Sequence, residues 1–268
     1  MIYLAVGYLV VCAYLYLVQQ RRVYVGAAEV YTPEQARHEA ALVGLVPWPA
    51  DDPGHPIGWT PPNFAGPAPR GTIVVLHGNG ETAWERAGQA GPMQARGFRV
   101  LFYEYPGYGG RPGRPSERVI VPEVRDVVRR LDQAGLGPIY LWGQSLGSGA
   151  AAEACADPTL PVRGLALVTP FDSLPSVAAS YYPFLPVRLL MTDRYNSVKN
   201  LAHFTGPVCV LRSDHDEVVP AALSLRLYDA LPGPKKMIVF TNAGHADWPG
   251  DTPDTWWDEA LDFIAPRS

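Results

Sequence analysis

The chain has 268 residues, of which 47% are hydrophobic and 18% are charged, and its net charge is -4 near neutral pH. This length fits one large α/β domain, and the apolar content is sufficient for a sizeable core. The acidic balance disfavours nucleic acid as a partner. Cys12, Cys155 and Cys209 lie far apart in the sequence and show neither a disulfide framework nor metal-ligand spacing.

The first element is an uncharged apolar stretch, residues 2–18, which is followed by Gln-Gln-Arg-Arg at residues 19–22. As a helix it would be about 25 Å long, slightly less than the ~30 Å hydrocarbon core of a bilayer. We expect a single-pass membrane anchor over residues 1–22 and a folded domain over residues 23–268. A signal peptide is the first alternative, although no basic residue precedes the stretch and no Ala-x-Ala site follows it closely. A buried core helix is the second. Because the nearby arginines follow the stretch, the positive-inside rule predicts a cytoplasmic domain.

The segment before the first long strand is rich in turn-forming residues. Thr32 followed by Pro33 predicts the start of a helix that ends near Val43. Residues 47–69 are rich in Pro, Gly and Asp, and they are interpreted as a loop with one short strand near residues 57–59. Two tryptophans within this loop favour packing on the domain, so no domain boundary is predicted there.

Residues 72–77 form a fully apolar strand that ends in His77-Gly-Asn-Gly80. A strand followed by such a loop fits the position of the first backbone donor to an oxyanion. We predict the N–H of Asn79 as this donor, because the small residues let the backbone face a cavity. His77 is interpreted as a structural residue that shapes the loop. A second strand is predicted at residues 99–105.

A third strand, residues 139–142, runs into Gly143-Gln-Ser-Leu-Gly147 and then into an alanine-rich helix. Strand, glycine-flanked serine and helix in this order are the context of a nucleophile elbow. The glycines remove side chains that would collide in so tight a turn. Ser145 is therefore the predicted nucleophile, and the N–H of Leu146 is the second predicted oxyanion donor. A glycine-rich turn with an incidental serine is the alternative interpretation.

The remaining strands are predicted at residues 164–169, 207–211 and 236–240. Aromatic residues in segment 170–188 suit either a short apolar cap over the site or simple core packing, and both interpretations stay open.

Two aspartates, Asp214 and Asp216, follow the strand at residues 207–211, where the acid of a catalytic triad should lie. We choose Asp216, because Asp-Glu-Val-Val-Pro leads directly into the next helix. Of the six histidines only His245 lies beyond Asp216. The α/β-hydrolase order of nucleophile, acid and histidine therefore leaves His245 as the base.

The ordered motifs together resemble the α/β-hydrolase superfamily, and more narrowly the membrane-tethered ABHD or Bem-type serine hydrolases. Residues 77–80, 105–109, 143–149, 216–220 and 244–245 carry the resemblance, which covers about residue 47 to the end. It implies a mostly parallel central sheet with helices on both faces, a short cap and an N-terminal hydrophobic helix. Tyr-Pro-Gly at residues 105–107 departs from the Tyr-Arg-Gly common in such proteins.

The resemblance implies a serine hydrolase that cleaves a carboxylic ester or thioester of a small-molecule or lipid acyl substrate. The reaction would pass through an acyl-enzyme on Ser145, with His245 and Asp216 as its partners and with no cofactor or metal. A peptidase or amidase is disfavoured because no acidic cluster is evident that would hold a substrate amine. A non-catalytic binding protein on the same fold is a further alternative. The sequence does not indicate an oligomeric state.

Overall fold

An eight-stranded sheet runs through the part of the chain that the computed structural model describes, residues 2–64 and 66–267. The strands are β1 Val46–Trp48, β2 Gly58–Thr60, β3 Gly71–Leu76, β4 Phe98–Tyr103, β5 Ile139–Gln144, β6 Val162–Val168, β7 Val208–Ser213 and β8 Lys235–Phe240. The helices are α1 Ile2–Val23, α2 Pro33–Leu42, α3 Ala90–Ala95, α4 Glu117–Gln133, α5 Leu146–Ala154, α6 Leu174–Tyr181, α7 Val187–Leu190, α8 Ser197–Asn200, α9 Ala221–Ala230 and α10 Trp256–Ile264.

The strand order is β1-β2-β4-β3-β5-β6-β7-β8. Strands β3 to β8 pair in parallel, whereas β1 and β2 add an antiparallel edge beside β4. The carboxyl ends of parallel strands meet at the same edge of a sheet, which is where ligands bind in open α/β folds. The loops after β3, β5, β7 and β8 therefore lie at one edge.

Apolar side chains cover both faces of the sheet. Alternate residues of each strand point to opposite faces, as in β3, where Val74 and Leu76 join one buried cluster and Ile73 and Val75 the other. Helices α4, α5 and α9 cover the first face, and α2, α3 and α10 cover the second. The prediction of an α/β-hydrolase fold with helices on both faces is confirmed.

Seven of the eight strands lie where the sequence predicted them, but the proline-rich segment is more ordered than expected. The predicted short strand near residues 57–59 is β2. In addition, β1 begins at Val46, before the predicted loop, and pairs with β2 over Val46–Trp48. The interpretation of residues 47–69 as a loop with one strand was therefore wrong for β1. Pro47 is compatible with this position because β1 is an edge strand.

The N-terminal helix α1 extends beyond the predicted residues 2–18 to Val23. Its most apolar window of 18 residues has a mean hydropathy of 1.9, and the helix is long and apolar enough to cross a membrane. Only 6% of its apolar window is buried, so α1 is not a core helix of this fold. Cys12 is its buried residue. The helix contacts the rest of the chain along one side, beside α7.

Candidate active site

The turn between β5 and α5 holds Ser145 in a conformation that few non-glycine residues adopt, with φ 49° and ψ -114°. Its N–H donates to the carbonyl of Val168 at 2.9 Å, which ties the turn to the end of β6. A Cβ on Gly147 would overlap the carbonyl oxygen of Leu76, and one on Gly143 would overlap the carbonyl of Gly147. The glycines are needed because the first turn of α5 lies directly against the sheet.

Three side chains from separate loops meet at this edge. The Nε2 of His245 lies 2.9 Å from the Oγ of Ser145, and its Nδ1 lies 2.9 Å from the Oδ2 of Asp216. Both distances are within hydrogen-bonding range. The side chains of His245 and Asp216 are 13% and 6% exposed, so they are largely shielded from water. The structure thus brings the three predicted residues into one hydrogen-bonded chain.

Backbone donors fix the carboxylate of Asp216. Its Oδ1 accepts N–H groups from Val218 at 2.9 Å and Val219 at 2.7 Å. Glu217, which the sequence analysis did not single out, accepts the backbone N–H of His245 at 3.2 Å. The loop after β7 therefore holds both the side chain and the backbone of the histidine.

Asp214, the alternative acid, has a different set of partners. Its two oxygens accept the backbone N–H groups of Asn242 and Ala243, each at 3.1 Å. These hydrogen bonds lower the pKa of Asp214, with the bond from Ala243 contributing most. His215 is mostly exposed, and its backbone N–H donates to the carbonyl of Ala243. Asp214 and His215 therefore fasten the loop that carries His245.

The predicted oxyanion donors border the same cavity as Ser145. Within residues 2–64 and 66–267, the N–H groups of Asn79 and Leu146 have no hydrogen-bond acceptor. The N–H of Leu146 lies at the start of α5, where the helix dipole favours negative charge. Both N–H groups are therefore available to a substrate oxygen.

The last residue of α1 and the turn that follows it hold Asn79 in place. Its Nδ2 donates to the carbonyl of Val23 at 3.0 Å, and its own carbonyl accepts the N–H of Gly26 at 2.9 Å. The hydroxyl of Tyr108 donates to the same carbonyl at 2.9 Å. This link could not be predicted from the sequence, because neither Val23 nor Gly26 belongs to a recognisable motif.

His77 lies outside the serine–histidine–aspartate chain. Its Nε2 is 2.9 Å from the Oε1 of Glu104, and both side chains are 1% exposed. The other oxygen of Glu104 accepts the N–H of Ala83, and the hydroxyl of Tyr105 donates to the carbonyl of His77. This buried network shapes the loop after β3, in agreement with the structural role predicted for His77.

A cavity of about 450 Å³ opens beside Ser145. Its volume lies within the range of ligand pockets, roughly 300–1,000 Å³. Its walls come mainly from segment 170–191 and from α1, with Leu15, Val23, Phe171, Leu174, Val177, Tyr181, Val187, Leu190 and Met191 among its apolar side chains. Helices α6 and α7 thus form a short cap, which favours the cap interpretation of this segment over simple core packing.

A second large cavity, about 720 Å³, lies at the amino end of β5, where its lining includes Arg70, Arg96 and Asp258. These charged groups are paired with one another or with Asp262. Across the described ranges, no group of three or more His, Cys, Asp and Glu side chains could hold a metal ion.

The mostly parallel sheet and the serine at the β5–α5 turn define the class of this protein. The chain belongs to the α/β-hydrolase superfamily and is a hydrolase, and the alpha/beta hydrolase fold family matches residues 71–191. It is 37% identical over 196 residues to Uncharacterized protein Rv2307c of Mycobacterium tuberculosis, covering 71% of this chain and 68% of the relative.

A named enzyme is also similar. The chain is 31% identical over 176 residues to Lysophosphatidylserine lipase ABHD12 of Danio rerio, covering 59% of this chain and 46% of that protein. The match thus spans less than half of the length of ABHD12. Among solved structures, Est1E of Butyrivibrio proteoclasticus with ferulic acid bound superimposes with a TM-score of 0.62 at 18% identity, covering 75% of this chain and 90% of the other. That likeness concerns the fold alone.

Proposed function

We propose that the protein is a serine hydrolase that cleaves a carboxylic ester or thioester of a lipidic acyl substrate through an acyl-enzyme on Ser145. The observation that carries the proposal is the hydrogen-bonded chain from Asp216 through His245 to Ser145, with Asn79 and Leu146 bordering the same cavity. This arrangement matches the geometry by which serine hydrolases are recognised on unrelated folds.

Each residue has a role that its position allows. His245 takes the proton from Ser145 as the hydroxyl attacks the acyl carbonyl, and it later returns a proton to the leaving group. Asp216 holds the imidazole in the required tautomer and stabilises its charged form. The N–H groups of Asn79 and Leu146 receive the developing oxyanion, where each donor typically contributes ~3 kcal/mol. Water activated by His245 then releases the acyl group.

The lipidic substrate is inferred from the cavity. Its lining is mostly apolar and suits an acyl chain, while Gln19, Arg21 and Arg22 add polar groups to the wall that α1 forms. The similar proteins named lysophosphatidylserine lipases are consistent with a lipid ester.

We further propose that residues 1–22 anchor the protein as a single span and that residues 23–268 form the catalytic domain. Helix α1 is long enough to span, and Arg21 and Arg22 at its end favour a cytoplasmic domain. A cleaved signal sequence is the competing interpretation. Mass spectrometry of the membrane-bound protein should find residues 2–23 in the mature chain, and a mature chain that begins after residue 23 would contradict the anchor.

The catalytic proposal is tested with a fluorophosphonate probe on the full chain in detergent. We expect the wild type to be labelled, and Ser145→Ala to lose the label together with ester hydrolysis. Ser180→Ala is the matched control, because Ser180 is an exposed serine of α6 whose hydroxyl donates to the carbonyl of Val177. A Ser145→Ala protein that is labelled as strongly as the wild type would refute the proposal.

A further inference from the structure

One face of α1 lines the cavity at Ser145. Leu15, Gln19 and Val23 all border the cavity, and their four-residue spacing places them on one side of a helix. On other sides, Leu9 and Leu17 are 65% and 78% exposed. Membrane anchoring alone does not require a helix to line the cavity at Ser145.

Hydrogen bonds fix α1 against the cap at several positions along the helix. The hydroxyl of Tyr8 donates to the carbonyl of Phe184 at 3.1 Å. The side chain of Gln19 donates to the carbonyl of Leu190 at 3.1 Å and accepts the N–H of Thr192 at 2.8 Å. A glutamine within an apolar helix is costly to leave unpaired, so these bonds favour one docked position.

The end of α1 is also joined to the oxyanion loop. Besides the bond from Asn79 to the carbonyl of Val23, the buried hydroxyl of Tyr24 donates to Asp193 at 2.5 Å and lies 3.0 Å from the hydroxyl of Tyr195. The position of α1 is therefore fixed relative to Asn79 on one side and to the segment after α7 on the other.

The outer surface of the cap continues the apolar surface of α1. Phe184 and Leu189 are 89% and 82% exposed, and Phe184 lies beside Tyr8 of the helix. Exposed apolar patches of this kind mark sites of interaction with proteins or membranes. This apolar surface of the cap is continuous with a helix that is able to cross a bilayer, so lipid is the occupant expected to cover it.

We propose that α1 is a wall of the acyl-chain site, and that it sets the length of acyl chain that the hydrolase accepts. The chain of a bilayer-resident ester passes between α1 and the cap to reach Ser145. This inference rests on the proposed function and adds to it a specificity-determining residue, Leu15.

The test compares two tryptophan variants of the full chain in phosphatidylcholine vesicles. Leu15→Trp fills the cavity, whereas Leu17→Trp, the matched control, places the same bulk on an exposed side of the helix. The readout is the ratio of kcat/KM for p-nitrophenyl palmitate to that for p-nitrophenyl acetate, which cancels differences in the amount of active enzyme.

We expect Leu15→Trp to lower this ratio by at least about tenfold, because each methylene displaced from apolar contact costs roughly fourfold. Leu15→Ala should shift the preferred chain length upward, a change of opposite sign that general misfolding would not produce. Leu17→Trp should retain the wild-type profile. If all three variants share the wild-type profile, α1 is not a wall of the site. If the wild type itself hydrolyses no ester, the proposed function fails instead.

Discussion

At the scale of single residues, hydrogen bonds give two neighbouring aspartates different surroundings. Asp216 contacts the imidazole of His245 with both oxygens, at 3.0 and 2.9 Å. Asp214 accepts backbone N–H groups of the loop that carries the histidine, and its Oδ1 lies 3.9 Å from the Nε2 of the exposed His215. The carboxylate that orients the imidazole is therefore Asp216, while Asp214 stabilises the loop.

Replacing each aspartate by asparagine should separate these roles. We expect Asp216→Asn to lower kcat/KM by about 10⁴-fold, because an amide in place of the carboxylate stabilises the wrong imidazole tautomer. Asp214→Asn keeps one acceptor oxygen for the loop and should cost less than about tenfold. Ester hydrolysis by purified variants measures both effects, and a larger loss for Asp214→Asn than for Asp216→Asn would reverse the assignment.

Glu104 illustrates what the sequence did not reveal at this scale. It follows β4, and nothing in its local pattern indicates a buried pairing with His77, 27 positions earlier. The pairing depends on the adjacency of β3 and β4, which brings the ends of the two strands together. A prediction that His77 shapes the loop was possible from position alone, but its partner required the fold.

At the scale of elements, the contact between α5 and β3 limits which residues the serine turn accepts. A Cβ at Gly147 would overlap the backbone of Leu76, which cannot rotate away as a side chain would. Gly88, by contrast, is exposed and has open space where a Cβ would lie.

We therefore expect Gly147→Ala to move the first turn of α5 away from the sheet and to displace the N–H of Leu146. The loss of one oxyanion donor lowers kcat by about 10²–10³-fold. Gly88→Ala should leave kcat/KM within about twofold of the wild type and should not lower the melting temperature. Wild-type activity in Gly147→Ala would show that the turn tolerates the added carbon.

The elements differ in how far the sequence could predict them. Strands β3 to β8 each contain a short apolar run, and turn residues lie between them, so their positions could be predicted from the sequence. The three-residue β1 could not, because so short a strand has no clear apolar pattern and depends on its pairing with β2 and on the burial of Trp48. The docked face of α1 was hidden for a different reason, since the helix is apolar on all sides and Leu15 cannot be distinguished from Leu17 by hydropathy.

At the scale of the whole molecule, a partly buried pair of carboxyl groups joins elements that are distant in the sequence. Glu117 at the start of α4 accepts the backbone N–H groups of Arg194 and Tyr195. Glu153 in α5 lies near Glu117 and accepts a hydrogen bond from Asn200 in α8. The backbone of Tyr195 is thereby fixed, and its hydroxyl lies 3.0 Å from that of Tyr24, the residue that follows α1. The pair therefore connects the core of the domain to the N-terminal helix.

The protonation of Glu153 should make global stability depend on pH. Burial, and then the neighbouring carboxyl of Glu117, raises the pKa of Glu153 to about 8. In the unfolded chain the same carboxyl titrates near its ordinary pKa of about 4.3. Between these values the folded chain holds a proton that the unfolded chain has lost, so the free energy of unfolding falls as the pH rises. The stabilisation is complete below the lower pKa and is lost as the pH passes through the upper one.

Glu153→Gln removes this titration while keeping an uncharged group that can hydrogen-bond to Asn200. The melting temperature of the variant minus that of the wild type should rise by at least about 3 °C from pH 5 to pH 9. A change of ~1 kcal/mol gives a shift of this size in a domain of this length. Glu29→Gln, at an exposed carboxyl after α1, is the control and should follow the wild type across the range. If the melting temperatures of Glu153→Gln and the wild type change with pH in the same way, Glu153 is ionised in the folded chain. Only a proton that the folded chain keeps and the unfolded chain loses can make the two pH profiles diverge.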